Sequence, residues 1–248
     1  MLIAILTDLH ANREAVSACL AHAEQHKAGR YAFLGDLVGY GADPAWVVDT
    51  VTDYVRQRGA WVVLGNHDAA VAQETGKQMH ADARRVVEWT RAQLNPEQLR
   101  FLNELPLTAE HGEILFVHAS AAMPQQWEYI TGIIEAIKSM HATQRRITFC
   151  GHVHEPALYN LSPTGKVAAF TPTPEISIPL GSQRRWLAIP GSAGQPRDGN
   201  PAACYALFDD VRNELTYFRV PYDHDAAAQK IFAVGLPQQL GKRLEGGI

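Results

Sequence analysis

The first third of the chain alternates short apolar runs with amphipathic stretches. Leu2–Leu6, Tyr31–Leu34 and Ala60–Leu64 have strand length, and Glu14–Gln25 and Pro44–Arg56 between them carry helical spacing, so this region predicts a βαβαβ unit. Each apolar run is followed at once by a polar cluster. That order gathers the clusters at the carboxyl edge of a buried sheet, where open α/β folds place their sites. From about 69 to 105 the pattern turns helical: Val86, Val87, Trp89, Leu94, Leu99 and Leu102 are spaced for one face, and Asn95-Pro96 is the capping signal of a new helix. This reads as a small helical insertion packed beside the sheet.

Beyond Leu105-Pro106, strands are expected at Ile114–His118 and Ile147–Cys150, with a helix around Thr131–His141 between them. Six short runs follow, separated by turn residues: Leu158–Leu161, Val167–Phe170, Ile176–Leu180, Trp186–Ile189, Ala203–Phe208 and Glu214–Val220. They read as antiparallel strands of a second sheet. No Ser/Gly-rich linker divides the halves. The expected architecture is therefore α/β, one domain over 1–248 with two facing mixed β-sheets flanked by helices, and a tail from about 223 that begins as a helix and then frays.

A content of 46% hydrophobic and 19% charged residues is enough for a packed core and excludes disorder as the default. The formal charge of -4 argues against a protein that holds nucleic acid by electrostatic attraction. Cys19, Cys150 and Cys204 are odd in number and lack paired spacing, so they are expected to be buried free thiols. The chain starts directly on a strand-like run, and no apolar run approaches the roughly 18 residues that would cross a bilayer, so a cytoplasmic location without membrane contact is expected.

The candidate chemistry lies in Asp8-Leu9-His10, Gly35-Asp36, Gly65-Asn66-His67-Asp68, His118 and Gly151-His152-Val153-His154, each just after an apolar run. In an extended strand end, residues two apart point the same way, so Asp8 with His10 and His152 with His154 could each present two donors toward one point. Divalent first-row metals favour this mixture of imidazole and carboxylate. A carboxylate can bridge two cations where an imidazole cannot, which makes Asp36 the candidate bridge. Two such metals would acidify a shared water and stabilise charge on phosphoryl oxygens, the demands of phosphate-ester hydrolysis. His22, His26, His80, His111, His141 and His224 lack the placement and are expected on solvated faces or in ordinary packing.

Taken in order, these motifs resemble the pattern of the calcineurin-like metallophosphoesterase superfamily. The likeness is closest to its small prokaryotic, diadenosine tetraphosphatase-like branch, through Gly35–Gly41, Glu88-Trp89-Thr90 and Pro190–Gly199. The resemblance implies a sandwich of two sheets between helices. It implies that Asp8, His10, Asp36 and His154 hold one divalent metal, and that Asp36, Asn66, His118 and His152 hold the other. Manganese is the preferred ion, with iron, zinc, nickel or cobalt suited to the same ligands. His67 is then left unligated to assist at the scissile group, while a metal-bridging hydroxide attacks in line on a small phosphorylated substrate, a nucleotide among the options.

Two departures qualify the likeness. Ala11 stands where many relatives have Gly, and Gly39-Tyr40 stands where protein phosphatases carry an Asp-Arg pair, which disfavours protein phosphatase activity. The replacement phosphate contact is sought at Asn12 or Arg13, by a helix N-terminus, or at Arg197. The Gly191–Gly199 loop could supply backbone donors to an anion or simply turn between strands, and Tyr40 and Trp46 could stack on a base or pack. A rival reading is a metal- or nucleotide-binding regulatory module without turnover; retention of His67 favours the enzyme.

Overall fold

The alternation of the first strand, β1 (Leu2–Leu6), sets the layering. Ile3 and Ile5 enter an apolar layer between two sheets, while Ala4 and Leu6 pack the other way, against helices. The structure is a computed structural model and describes residues 1–73 and 81–248.

β1 is central in a six-stranded sheet. On one side lie β2 (Arg30–Phe33) and β3 (Trp61–Val62), both in parallel register; on the other lie β11 (Ala203–Asp209), β12 (Glu214–Val220) and β9 (Ser177–Pro179), all antiparallel. The second six-stranded sheet runs β4 (Thr108–His111), β5 (Ile114–Val117), β6 (Ile147–Phe149), β10 (Arg185–Ile189), β7 (Ala157–Leu161) and β8 (Val167–Phe170). Its centre, β5-β6-β10, is parallel. Phe116, Phe149, Trp186 and Phe208 fill the layer between the sheets with Ile3, Ile5 and Leu34.

Helices cover both outer faces. On the β1 side, α1 (Arg13–Gln25) and α2 (Pro44–Arg58) bury Val16, Cys19, Val47, Val48 and Val51. Across the molecule, α6 (Ile133–His141) sets Ala136 and Met140 against Tyr159, Leu187 and Ile189. The region between β3 and β4 carries α3 (Asn66–Gln73), α4 (Ala81–Ala92) and α5 (Pro96–Asn103), the last opened by a capping box between Asn95 and Gln98. The expected helical insertion from 69 to 105 thus falls, among the described residues, on α3, α4 and α5 and the turns between them; His80 lies outside the described residues.

Several expectations change. The strand at Ala60–Leu64 contracts to Trp61–Val62, because Leu64 N–H already donates to Pro106 O (2.7 Å) outside the sheet. Strand β4 was not legible, since Thr108–His111 is polar at an edge with only one ladder partner. The late strands do not form a sheet of their own. β9, β11 and β12 join β1, whereas β7, β8 and β10 complete the sheet begun by β4–β6. The tail does not fray after one helix: α7 (His224–Ala233) is followed by α8 (Gln238–Gly246), and Leu236, Leu240 and Leu244 pack with Ile231 and with Val86 of α4. The three cysteines are buried and free, as expected.

The inter-sheet layer carries the stability of this arrangement. Phe116 is fully buried between Trp61 and Phe149, so Phe116→Ala should cost about 3–5 kcal/mol, read as a lower urea midpoint at unchanged slope.

Candidate metal centre

The candidate ligands do not sit on extended strand ends. Asp8 (φ 53), His10 (φ 46), Asp36 (φ 51), His152 (φ 69) and His154 (φ 68) all occupy the left-handed region, in turns that begin after β1, β2 and β6. The paired convergence expected from strand alternation is therefore produced by tight turns instead. Such a backbone costs a non-glycine residue roughly 1–2 kcal/mol and persists only where its surroundings over-determine it. Here the turns are laced together: Asp8 N–H donates to Gly35 O (3.1 Å), His10 N–H to Asp36 O (2.9 Å) and Ala11 N–H to Leu37 O (2.9 Å). Within the other sheet Gly151 N–H donates to His118 O (2.7 Å), and that sheet is tied in by Ala193 N–H to Thr7 O (2.9 Å) and Gly194 N–H to Asp8 O (2.9 Å). Ala11 itself has φ 51, a conformation that glycine adopts more readily than alanine.

Close approach completes the construction. A Cβ at Gly65 would collide with Asp36, and one at Gly151 with Thr7 and Asp8. Asn66 and His67 come from the first turn of α3, so this part of the site is a helix start and not a loop.

The expected ligands come together. His154 Nε2 lies 3.3 Å from Asp8 Oδ1 and 3.1 Å from His10 Nε2. His118 Nε2 lies 3.1 Å from Asn66 Oδ1, 3.2 Å from His152 Nδ1 and 3.4 Å from Asp36 Oδ2. Asp36 Oδ2 is also 3.8 Å from His10 Nε2, so it stands between the two groups. The outer nitrogens of three imidazoles donate to carbonyls: His10 Nδ1 to Val38 O (3.3 Å), His118 Nδ1 to Leu34 O (2.7 Å) and His154 Nδ1 to Gln195 O (2.7 Å). With those protons placed outward, the Nε2 lone pairs of His10 and His154 point at one another. This arrangement is repulsive unless a cation or proton lies between them. Donors around one divalent ion, with bonds of about 2.0–2.1 Å, stand about 3.0–3.4 Å apart, so the clustered His and Asp side chains fit the binding of divalent metal.

The carboxylates are held as acceptors. Burial pushes Asp8 and Asp36 up, but the surrounding histidines outweigh it, His154 foremost at Asp8 and His118 at Asp36, and both remain well below the usual carboxylate range. Asp8 Oδ2 further accepts from Thr7 Oγ1 (2.8 Å) and His152 N–H (3.0 Å), and Asp36 Oδ1 from His67 N–H (2.9 Å). Burial lowers His118, yet the charge of Asp36 prevails and lifts it to about 9; burial and His118 bring His152 down to about 4.

The outlying residues divide. The His67 ring meets His10 edge-on at 5.1 Å and Tyr40 at 4.4 Å, and a Cβ on Gly39 would come 2.6 Å from His67 Nδ1. Arg197 lies at the same end, its Cζ 5.8 Å from the Tyr40 ring and its Nη2 donating to Gln195 Oε1 (3.0 Å). Asn12 is a correction: its carboxamide accepts from Ala15 N–H (3.1 Å) as the α1 cap and donates to Gly194 O (2.7 Å) and Tyr222 Oη (3.2 Å), so it is committed to structure. Arg13 is exposed and lies 5.2 Å over Trp46, a pairing on the helical surface that also accounts for Trp46. The amides of Ala193 and Gly194 are spent on Thr7 and Asp8, which decides the Gly191–Gly199 loop as a strap across the two sheets.

Three further residues, Asp68, Gln195 and Tyr129, support or border the site. Asp68 is buried and accepts from Gly65 N–H (3.0 Å) and Val38 N–H (3.2 Å), clamping two of the turns; its place in Gly65-Asn66-His67-Asp68 was the available signal. Gln195 holds both His154 and Arg197. Tyr129 stacks on His152 at 3.9 Å, with no signal in the sequence. Since His118 is raised to about 9, it is protonated at pH 7 in the metal-free protein, and a metal taking Nε2 must expel that proton. Calorimetric metal titration in two buffers of different ionisation enthalpy should show release of about one proton at pH 7, vanishing above about pH 9.

Comparison with known proteins agrees with this geometry. Residues 1–213 match the model of the calcineurin-like phosphoesterase superfamily domain. The uncharacterized protein MJ0912 of Methanocaldococcus jannaschii is 32% identical over 98% of this chain and 97% of its own length. The crystal structure of a metallophosphoesterase from Sphaerobacter thermophilus is 33% identical, with TM-score 0.88 over 100% of this chain and 99% of that one. Hypothetical protein PH1004 from Pyrococcus horikoshii OT3, at 19% identity, shares the fold with TM-score 0.81 over 100% and 98% of the two chains. The chain belongs to the calcineurin-like phosphoesterase superfamily.

Proposed function

We propose that this protein hydrolyses small phosphate esters with a pair of divalent metal ions, manganese preferred. The observation that carries the reading is Asp36: a single carboxylate oxygen faces His118 Nε2 at 3.4 Å and His10 Nε2 at 3.8 Å, placed as a bridge between two donor groups. Two cations held there would lower the pKa of bound water toward neutrality and neutralise charge on phosphoryl oxygens. Asp8, His10, Asp36 and His154 would hold one ion, and Asp36, Asn66, His118 and His152 the other.

The protein's own groups do the rest. His67 is the catalytic residue, aimed from the first turn of α3 to donate a hydrogen bond to a phosphoryl or leaving oxygen. Arg197, fixed by Gln195 and Tyr40, binds the substrate phosphate in place of the arginine that protein phosphatases carry. Tyr40 occupies that position and packs on both His10 and His67, which supports a small-molecule substrate over a protein one. A soluble, cytoplasmic setting suits the reading, and no helix among the described residues is long and apolar enough to cross a membrane.

The test is turnover of p-nitrophenyl phosphate and bis(p-nitrophenyl) phosphate by purified, manganese-loaded protein. Asp36→Asn should lose bound metal and at least about 100-fold in rate, as removal of a bridging ligand requires. Normal turnover by that variant sinks the reading. His67→Ala should keep both metals and lose about 10²–10⁴ in kcat. Metal and nucleotide binding without turnover in the wild type would instead support the regulatory module. Gly39→Ala should displace the His67 ring and lower kcat about tenfold or more at unchanged metal content, checked by elemental analysis beside the assay.

A further inference from the structure

We infer that Tyr129 is a specificity-determining residue that gives the site a preference for phosphate esters carrying a flat aromatic substituent; this rests on the phosphoesterase reading above. Its ring lies 3.9 Å from the His152 ring, centroid to centroid, and 28° from parallel. His152 is 5% exposed and Tyr129 is 51% exposed. One face of the tyrosine therefore covers an imidazole of the donor cluster, and the rest of the ring stands in solvent at the edge of the site. Among the described residues its hydroxyl makes no hydrogen bond.

The chain segment around Tyr129 also exposes Met123, Ile133 and Ile134, at 48%, 44% and 78%, and carries Trp127, half-buried with its ring 5.9 Å from His118. The other end of the donor cluster is different, with His67, Tyr40 and the Arg197 guanidinium in sequence. The mouth is thus chemically two-sided. The hydrogen-bonding, cationic end suits a phosphoryl group, and the aromatic end suits the ester substituent. A tyrosine face selects flat rings by offset stacking and gains little from a compact alkyl group.

Phenylphosphonate and methylphosphonate share the anionic head, resist hydrolysis and differ by the ring, so their affinities for metal-loaded protein isolate this contact. The wild type should bind the phenyl compound about five- to tenfold more tightly, the usual worth of an aromatic pair. Tyr129→Phe should keep that ratio, and Tyr129→Ser should bring it near unity while methylphosphonate binding holds. An unchanged ratio in Tyr129→Ser overturns the inference. Parallel loss of both ligands also does, since Tyr129 would then only shield His152. A ratio near unity in a wild type that binds both overturns this inference alone, whereas a wild type that binds neither defeats the phosphoesterase reading and takes the inference with it.

Discussion

Lone pairs that face one another in a buried pocket are the constraint around which this structure is organised. His10 and His154 bring their Nε2 atoms to 3.1 Å with both Nδ1 atoms turned to carbonyls. Beside them His118 Nε2 lies 3.1 Å from Asn66 Oδ1 and 3.2 Å from His152 Nδ1. Two facing acceptors cannot relax away from each other when both rings are fixed from outside. The backbone is fixed by hydrogen bonds that continue from loop to loop past the strand ends, and the left-handed turns they enforce together cost energy of the same order as the net stability of a domain. The two parallel strand sets and the aromatic layer between them anchor those turns. Binding of cations would convert the stored repulsion into attraction, coupling metal occupancy to stability as in other sites that form only on folding.

Around that cluster, a second set of groups decides direction. The carbonyls of Leu34, Val38 and Gln195 choose which imidazole nitrogen turns inward, the usual task of groups one step removed from a metal. Asp68 joins the turn bearing Val38 to the start of α3, the element that carries Asn66 and His67. Gly39 leaves the space His67 fills, and Tyr40 closes it from the side. An Asp-Arg pair cannot be introduced there without displacing the imidazole, so the departure from the protein phosphatase pattern is structural as well as chemical. Arg197 reaches the same end of the site from the strap after β10.

Much of this was legible along the chain, for definite reasons. Strand period two and helix period 3.6 place β1, β2, α1 and α2 within a residue or two, because each buries one face against a layer that runs the length of the element. The seven ligand candidates could be named because imidazole, carboxylate and carboxamide recur after apolar runs, and that chemistry does not depend on backbone detail. What failed were inferences from local regularity. The extended strand ends assumed for Asp8–His10 and His152–His154 are left-handed turns, and the polar edge strand Thr108–His111 has no apolar pattern to reveal it.

The sequence by itself determined which residue types could hold cations, the order in which they occur and the layered α/β class, since these follow from side-chain chemistry and periodicity. Only the tertiary structure decided which strands share a sheet, which nitrogen each histidine offers, why Asn12 is a cap and Arg197 stands by the site, and that Tyr129 covers His152. These outcomes depend on tertiary contacts between different elements, some of them between residues very distant in the chain, such as Asn12 with Gly194 and His10 with His154, and no local periodicity encodes such pairings.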